Sequence, residues 1–303
     1  MNAAALVLPE FALLVLGVLL RRWAWRSPEF WVDLERLVYY VLFPVLLLRT
    51  TLAADLAGSG VGTVLLSAVG ATLAGALLGS AVRWLPGIDG VTAASGWQTA
   101  FRFNSFLALA LVDDRGLGAV ALMGVLLGVN VPLVNVLAVT ALARSTSGGS
   151  GNGRGVLLAV IRNPLILATV AGLAGNVAGL TLPAPVDVTL SRLAAAAVPL
   201  GLLAVGAALR LGGVGRRHRI MATYLGVVKL LAVPVVALAL AAAVGVTGDQ
   251  RFVLLAFAAV PAATTSYVLT ARMGGHGAFV AAQTSITTTA ALLTLPLWLT
   301  LIE

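Results

Sequence analysis

The sequence predicts an all-α polytopic membrane protein of ten transmembrane helices, arranged as two inverted five-helix repeats with crossed, broken helices 4 and 9. Three observations predict it. The 303 residues are 60% hydrophobic and only 10% charged, against about 25% charged in ordinary soluble domains. Apolar windows of spanning length recur along the whole chain. Prolines and polar clusters recur at a constant distance of about half the chain.

The windows fall at 3–20, 35–54, 61–82, 91–112, 117–143, 156–180, 187–209, 220–246, 251–271 and 277–301. Each is near the roughly 20 residues that a spanning helix needs. The first carries no preceding Lys/Arg cluster and no convincing cleavage site, so it reads as a retained helix. The fourth and ninth are interrupted by polar residues, and the ninth also by Pro261. The longest polar stretch is the Ser/Gly-rich segment from Ser145 to Arg154. This gives a first repeat over 1–143, a cytoplasmic linker over 144–155 and a second repeat over 156–303.

The net charge of +8 would suggest nucleic acid in a soluble protein. Here the loops account for it, and no nucleic-acid partner is expected. Loops after odd-numbered helices hold thirteen basic residues: Arg21, Arg22, Arg26, Arg36, Arg83, Arg144, Arg154, Arg162, Arg210, Arg216, Arg217, Arg219 and Arg272. The opposite side holds four: Arg49, Arg115, Arg192 and Arg251. The positive-inside rule then makes the odd loops cytoplasmic and both termini extracytoplasmic, in a multi-pass protein of the cell membrane.

Pro9 and Pro164 are 155 residues apart, as are Pro44 and Pro199. Asn104-Ser105-Phe106 and Thr265-Ser266-Tyr267 are 161 apart. A duplicated unit of five helices must reverse its orientation between copies, which is the inverted repeat of many secondary transporters. Interrupted segments at matching places in the two halves mark the site in such proteins. The fourth window holds Gln98, Thr99, Arg102, Asn104 and Ser105; the ninth holds Pro261, Thr264, Thr265 and Ser266. Pro261 has no N–H and frees a carbonyl. The two segments are expected to unwind and approach each other, offering N–H groups to an anion. Interhelical hydrogen bonding is the alternative role for the hydroxyls.

Two cations fall within spans, Arg102 and Lys229. An intramembrane cation usually faces a cavity or a partner. Arg102 can clamp a carboxylate through two parallel N–H bonds; its alternative is snorkelling. Lys229 is the only lysine. A lysine, unlike an arginine, can give up its proton, so Lys229 is a candidate coupling or support site, or else a structural cation held by carbonyls. Asn130 and Asn135, with Gln283, Thr284, Ser285, Thr287, Thr288 and Thr289, form a polar lining or helix–helix bonds. Glu10 reads as interfacial or structural. Two cations and no carboxylate near the breaks favour a small organic anion as cargo.

Other chemistries lack their residues. There is no Walker loop for ATP, and there is no cysteine. His218 and His276 have no metal-ligand spacing, and Asp113-Asp114 belong to an outer loop. No cofactor, metal or enzymatic activity is expected. A sensor would need an output domain, and the loops are short.

At Arg102-Phe103-Asn104-Ser105-Phe106, Asn163-Pro164-Leu165-Ile166, Leu203-Ala204-Val205-Gly206-Ala207-Ala208-Leu209, Val260-Pro261-Ala262, Arg272-Met273-Gly274-Gly275 and Leu295-Pro296-Leu297-Trp298, the chain resembles the auxin efflux carrier (PIN-like) family, in its bacterial permease branch. It resembles more distantly the bile acid/sodium symporters and the sodium/proton antiporter NhaA. The resemblance implies ten helices, with the first, second, sixth and seventh as a scaffold and homodimer contact. The other six would form a transport bundle that moves by an elevator or rocking motion. It implies cargo such as auxin, malate or malonate. A sodium-coupled symporter of the bile-acid type is the alternative, which sodium-independent uptake would exclude. The residues expected to contact cargo are Arg102, Asn104, Ser105, Pro261, Thr264, Thr265, Ser266, Asn130 and Gln283, with Lys229 in support. Beyond the cargo, the expected partners are membrane lipid and a second copy of the chain.

Overall fold

The computed structural model describes residues 3–53, 60–146, 164–209 and 218–301. Most of the expected linker, with Arg154, Arg162, Arg210, Arg216 and Arg217, lies outside them, as does the start of the sixth window. All regular structure among the described residues is helical, with no strand.

The helices are α1 (Ala3–Leu19), α2 (Pro28–Leu37), α3 (Phe43–Ala53), α4 (Val61–Gly79), α5 (Gly90–Trp97), α6 (Ser105–Asp113) and α7 (Leu117–Thr146). They continue as α8 (Pro164–Val177), α9 (Ala184–Ala208), α10 (Arg219–Val227), α11 (Val233–Ala243), α12 (Gly248–Ala259), α13 (Ser266–Arg272) and α14 (Gly277–Thr300). Five stretches among the described residues are long and apolar enough to cross a membrane: Val61–Trp84, Leu117–Thr146, Ala184–Ala208, Arg219–Ala243 and Gly277–Thr300.

Local chemistry sets several boundaries. Ser27 caps α2 by accepting from the Phe30 N–H at 3.4 Å, with Pro28 in the first turn, where its missing N–H costs nothing. Two π-helical turns, Val38–Leu42 and Val228–Ala232, each end two residues before a proline, Pro44 and Pro234. Each proline deprives the carbonyl four residues earlier of its donor. At Pro234 that carbonyl is Leu230, and the Trp298 indole N–H supplies the bond at 2.8 Å.

By contact the chain forms two units. One comprises Met1–Val61, Ser105–Val129 and Leu158–Ala208; the other comprises Gly62–Asn104, Asn130–Leu157 and Leu209–Glu303. The long helix α7 therefore contributes its first half to one and its second half to the other.

The first unit is built on two helix pairs, α1 with α9 and α3 with α8. Both pairs close on a glycine. A Cβ on Gly17 would collide with the Leu203 carbonyl oxygen, and one on Gly172 would stand 2.7 Å from the Leu48 carbonyl oxygen. Both pairs are also tied by a polar side chain: Arg21 Nη1 donates to the Ala207 carbonyl at 3.0 Å, and Asn176 Nδ2 to the Leu52 carbonyl at 2.7 Å. Gly17 and Gly172, Leu48 and Leu203, Arg21 and Asn176, and Leu52 and Ala207 are each 155 residues apart. Arg49 and Asp187 form a paired contact, Nε to Oδ1 at 2.7 Å and Nη2 to Oδ2 at 3.3 Å. Phe106 of α6 packs on Phe43 with ring centroids 4.8 Å apart and fills the space left by Gly201.

The second unit holds α4, α5, the second half of α7 and α10–α14. Its close contacts also run through glycine. A Cβ on Gly75 would stand 2.9 Å from the Ala100 carbonyl oxygen and 2.8 Å from a Val233 methyl.

Candidate functional site

Two helical segments of the second unit are interrupted. The first ends with the 3-10 turn Gln98–Ala100, and residues 101–104 are not helical before α6 begins. The second ends at Ala259, and helix resumes at Ser266. The cause of the second break is local. A residue before proline is pushed out of the helical region, and Val260, before Pro261, is extended at φ −62°, ψ 149°. The first break has no proline. Thr99 Oγ1 donates to the Gly96 carbonyl at 2.7 Å, and both the Phe101 and Arg102 N–H groups donate to the Gln98 carbonyl, so the turn tightens and stops.

The breaks meet. The Asn104 N–H donates to the Pro261 carbonyl at 2.9 Å. Each interruption thus supplies a bond that a continuous helix would have kept to itself. Phe103, next to Asn104 in the chain, meets Phe257 with ring centroids 4.5 Å apart and the planes tilted at 55°.

Arg102 is 7% exposed. Its Nη1 donates to Asn135 Oδ1 at 2.9 Å, and its Nη2 lies 3.4 Å from Thr265 Oγ1. The guanidinium therefore joins the first break, α7 and the second break. Both of these bonds go to neutral side-chain oxygens and fix the orientation of the guanidinium.

Lys229 lies in the π turn after α10 and is 1% exposed. Its Nζ donates to the Ala258 carbonyl at 3.0 Å. Ala258 is in the last turn of α12, where carbonyls have no donor from their own helix and where the helix dipole favours a cation. The ammonium thus caps the broken helix from the side.

The remaining expected residues are distributed. Asn104, Thr264 and Ser266 are buried at the breaks, and Thr265 is half-buried. Asn130 accepts from Thr72 Oγ1 at 2.9 Å, and Gln283 Nε2 donates to the Ala222 carbonyl at 2.9 Å. Both bonds tie pairs of helices within the unit. Ser105 opens α6, in the other unit. Gln98 Nε2 donates to Thr270 Oγ1 at 2.8 Å, and Thr270 donates to the Ser266 carbonyl at 2.8 Å. Thr72 and Thr270 were not singled out by sequence; each is one threonine among apolar residues, with no spacing to mark it. Thr284, Thr287, Thr288 and Ser285 lie on α14; the last three donate to carbonyls of their own helix. Among the described residues no group of three or more His, Asp or Glu is placed to hold a metal ion.

Residues 153–299 match the membrane transport protein family, the domain of auxin efflux carriers. The matched stretch is just under half of the chain and includes Lys229, Pro261, Thr264, Thr265, Ser266 and Gln283, but not Arg102 or Asn104. That family consists of membrane transporters and not of enzymes. The match implies a membrane transporter, and with the apolar helices it implies a multi-pass membrane protein. No curated protein matches the chain.

Proposed function

We propose that the protein is a secondary active or facilitative carrier of a small organic anion, a carboxylate, in the manner of the bacterial permease branch of the auxin efflux carriers. The observation that carries this reading is the buried Arg102 guanidinium, oriented by Asn135 and Thr265 beside the bond between the two breaks. A guanidinium can hold a carboxylate through two parallel N–H bonds, which fixes its orientation as well as its charge. Asn104, Thr264 and Ser266 complete the contact with cargo, with Pro261 shaping the second break. Asn130 and Gln283 line the approach. Lys229 supports the break and is the group able to exchange a proton.

The architecture proposed is ten spans in two inverted repeats, 1–143 and 156–303, joined by a cytoplasmic linker, with both termini extracytoplasmic. The matched contacts of Gly17 with Leu203 and Gly172 with Leu48, and of Arg21 with Ala207 and Asn176 with Leu52, support the duplication. The first, second, sixth and seventh spans would serve as scaffold and homodimer contact. The remainder would move by elevator-type alternating access. The hydroxyls and carbonyls at the breaks also suit sodium, so a sodium-coupled symporter is the second reading.

The test is counterflow in proteoliposomes with acetate, malonate, malate and indole-3-acetate, in sodium and in choline buffers. Saturable exchange of at least one carboxylate, undiminished in choline, supports the primary reading. Exchange only in sodium selects the second. No exchange of any carboxylate overturns both.

A further inference from the structure

The chain has two histidines, 58 residues apart in sequence, and they meet. Their ring centroids are 5.3 Å apart with the planes at 74°. Phe279 packs on both, at 5.8 Å from His218 and 6.2 Å from His276. Each stands immediately before a helix, His218 before α10 and His276 before α14. A third helix, α5, starts alongside. Its N-cap Asp89 accepts from the Thr92 N–H at 2.9 Å and from the Thr92 hydroxyl at 2.7 Å. Thr92 has one hydroxyl proton and gives it to Asp89. The 3.4 Å contact between Thr92 Oγ1 and His276 Nδ1 is therefore a donation from the Nδ1–H. The His276 backbone N–H also donates to Ser95 Oγ at 2.9 Å.

We propose that this cluster is a proton-sensitive latch, which holds the ends of α5, α10 and α14 together while both imidazoles are neutral and releases them on acidification. Imidazole is the side chain whose charge ordinarily changes between pH 5 and 8. Two imidazolium rings at this separation repel. Each also sits at a helix N-terminus, whose partial positive charge opposes a cation.

The charges around the rings are one carboxylate and otherwise arginines. Asp89 is the carboxylate on α5, and the Thr92 hydroxyl and N–H hold its carboxyl below the usual carboxylate range, so it stays anionic throughout. Both its oxygens accept from Thr92, so it reaches the His276 ring only through that hydroxyl, and the release rests on the repulsion between the two rings. Arg219 opens α10, and Arg83 lies in the Ser80–Trp84 turn over the Trp84 ring at 4.4 Å. The first turn of α14 carries no charge. Arg216 and Arg217, just before His218, fall outside the described residues.

The three helices lead to the residues of the candidate site: α5 to Arg102, α10 to Lys229, and α14 to Gln283. A latch at their ends would couple acidity on that side of the membrane to their freedom to move. It does not depend on what the carrier transports.

Hydrogen exchange of the full chain in lipid nanodiscs at pH 8 and pH 5.5, corrected for the chemical rate, tests this. At least threefold faster exchange at pH 5.5 is expected over 89–96, 218–226 and 276–283. His218→Phe keeps a packed ring that cannot be protonated, and His276→Asn keeps a donor near the Nδ1 position. Each should remove most of the response. Should His218→Phe fail to fold, His276→Asn decides. No response in the wild type, or an equal response in the variants, overturns the latch. So does a response abolished by chelator, because the cluster would then be reading a metal ion.

Discussion

The two interruptions in the second unit reach one outcome by different chemistry. The first, at 101–104, contains no proline; it carries Arg102, and the end of its leading helix is approached by bare backbone at Gly75. The second, at 260–265, is forced by Pro261, and the end of its leading helix is capped by the Lys229 ammonium at Ala258. One break has its charge in the unwound segment; the other has its charge behind the helix end. Duplication can supply a shared architecture, but it does not require the same residues to maintain it. Under the proposed function, the charged groups would serve cargo contact at the first break and support at the second.

The largest expected effect is at the first break. Arg102→Gln keeps a polar amide N–H but is two bonds shorter and loses the charge. Since a bond to a charged group contributes about 1.5–3 kcal/mol, carboxylate transport should fall about 10-fold to 100-fold, with the melting curve nearly unchanged. Counterflow beside a thermal melt separates the two effects. An equal loss of stability would make Arg102 a structural cation and erase the contrast.

Glycine sharpens the comparison next. Gly75→Ala drives a methyl against the Ala100 carbonyl and Val233, and overpacking of this kind costs about 1–3 kcal/mol. At Gly226, on the helix that leads to Lys229, the nearest atom to a new Cβ is Gln283 Nε2 at 3.7 Å, an ordinary contact. Gly226→Ala should melt at or above the wild-type temperature. If both variants lose stability equally, close backbone approach is not particular to the first break.

Lys229 bears a subtler effect. Lys229→Gln keeps an N–H for the Ala258 carbonyl but removes the exchangeable charge. Stability should change by about 1 kcal/mol or less, while the pH profile of transport changes. Lys229→Arg should remain folded but transport poorly, because a guanidinium, unlike an ammonium, does not give up its proton. Normal transport by Lys229→Arg at every pH would reduce Lys229 to a helix cap. The smallest effect is at Thr265. Thr265→Val removes a long 3.4 Å contact and should slow transport about two- to threefold, since a neutral hydrogen bond contributes about 0.5–1.5 kcal/mol net.

The helical class follows from composition and the recurring apolar windows, and the interruption at Pro261 follows from stereochemistry that any sequence reveals. The polar run from Gln98 to Ser105 likewise marks a segment that is a poor continuous span. What those residues touch was not legible. Lys229 and Ala258 are on different helices, and a backbone carbonyl has no sequence signature. The meeting of His218 with His276 depends on where two helices start. Gly17 and Gly172 share the 155-residue offset of the prolines, yet among 33 glycines nothing singles them out until a carbonyl is seen against each. Sequence periodicity reports which face is apolar; it does not report register between helices, and register decides which polar atoms meet.

The central claim is that the charge at the first break recognises the cargo carboxylate. The direct measurement is a calorimetric titration of the purified chain in nanodiscs with the carboxylate that gives the strongest counterflow and with its uncharged amide. Each is titrated into wild type and Arg102→Gln. The account predicts that wild type binds the carboxylate at least tenfold tighter than the amide, and that Arg102→Gln abolishes this preference. A preference of the same size in both proteins would contradict it.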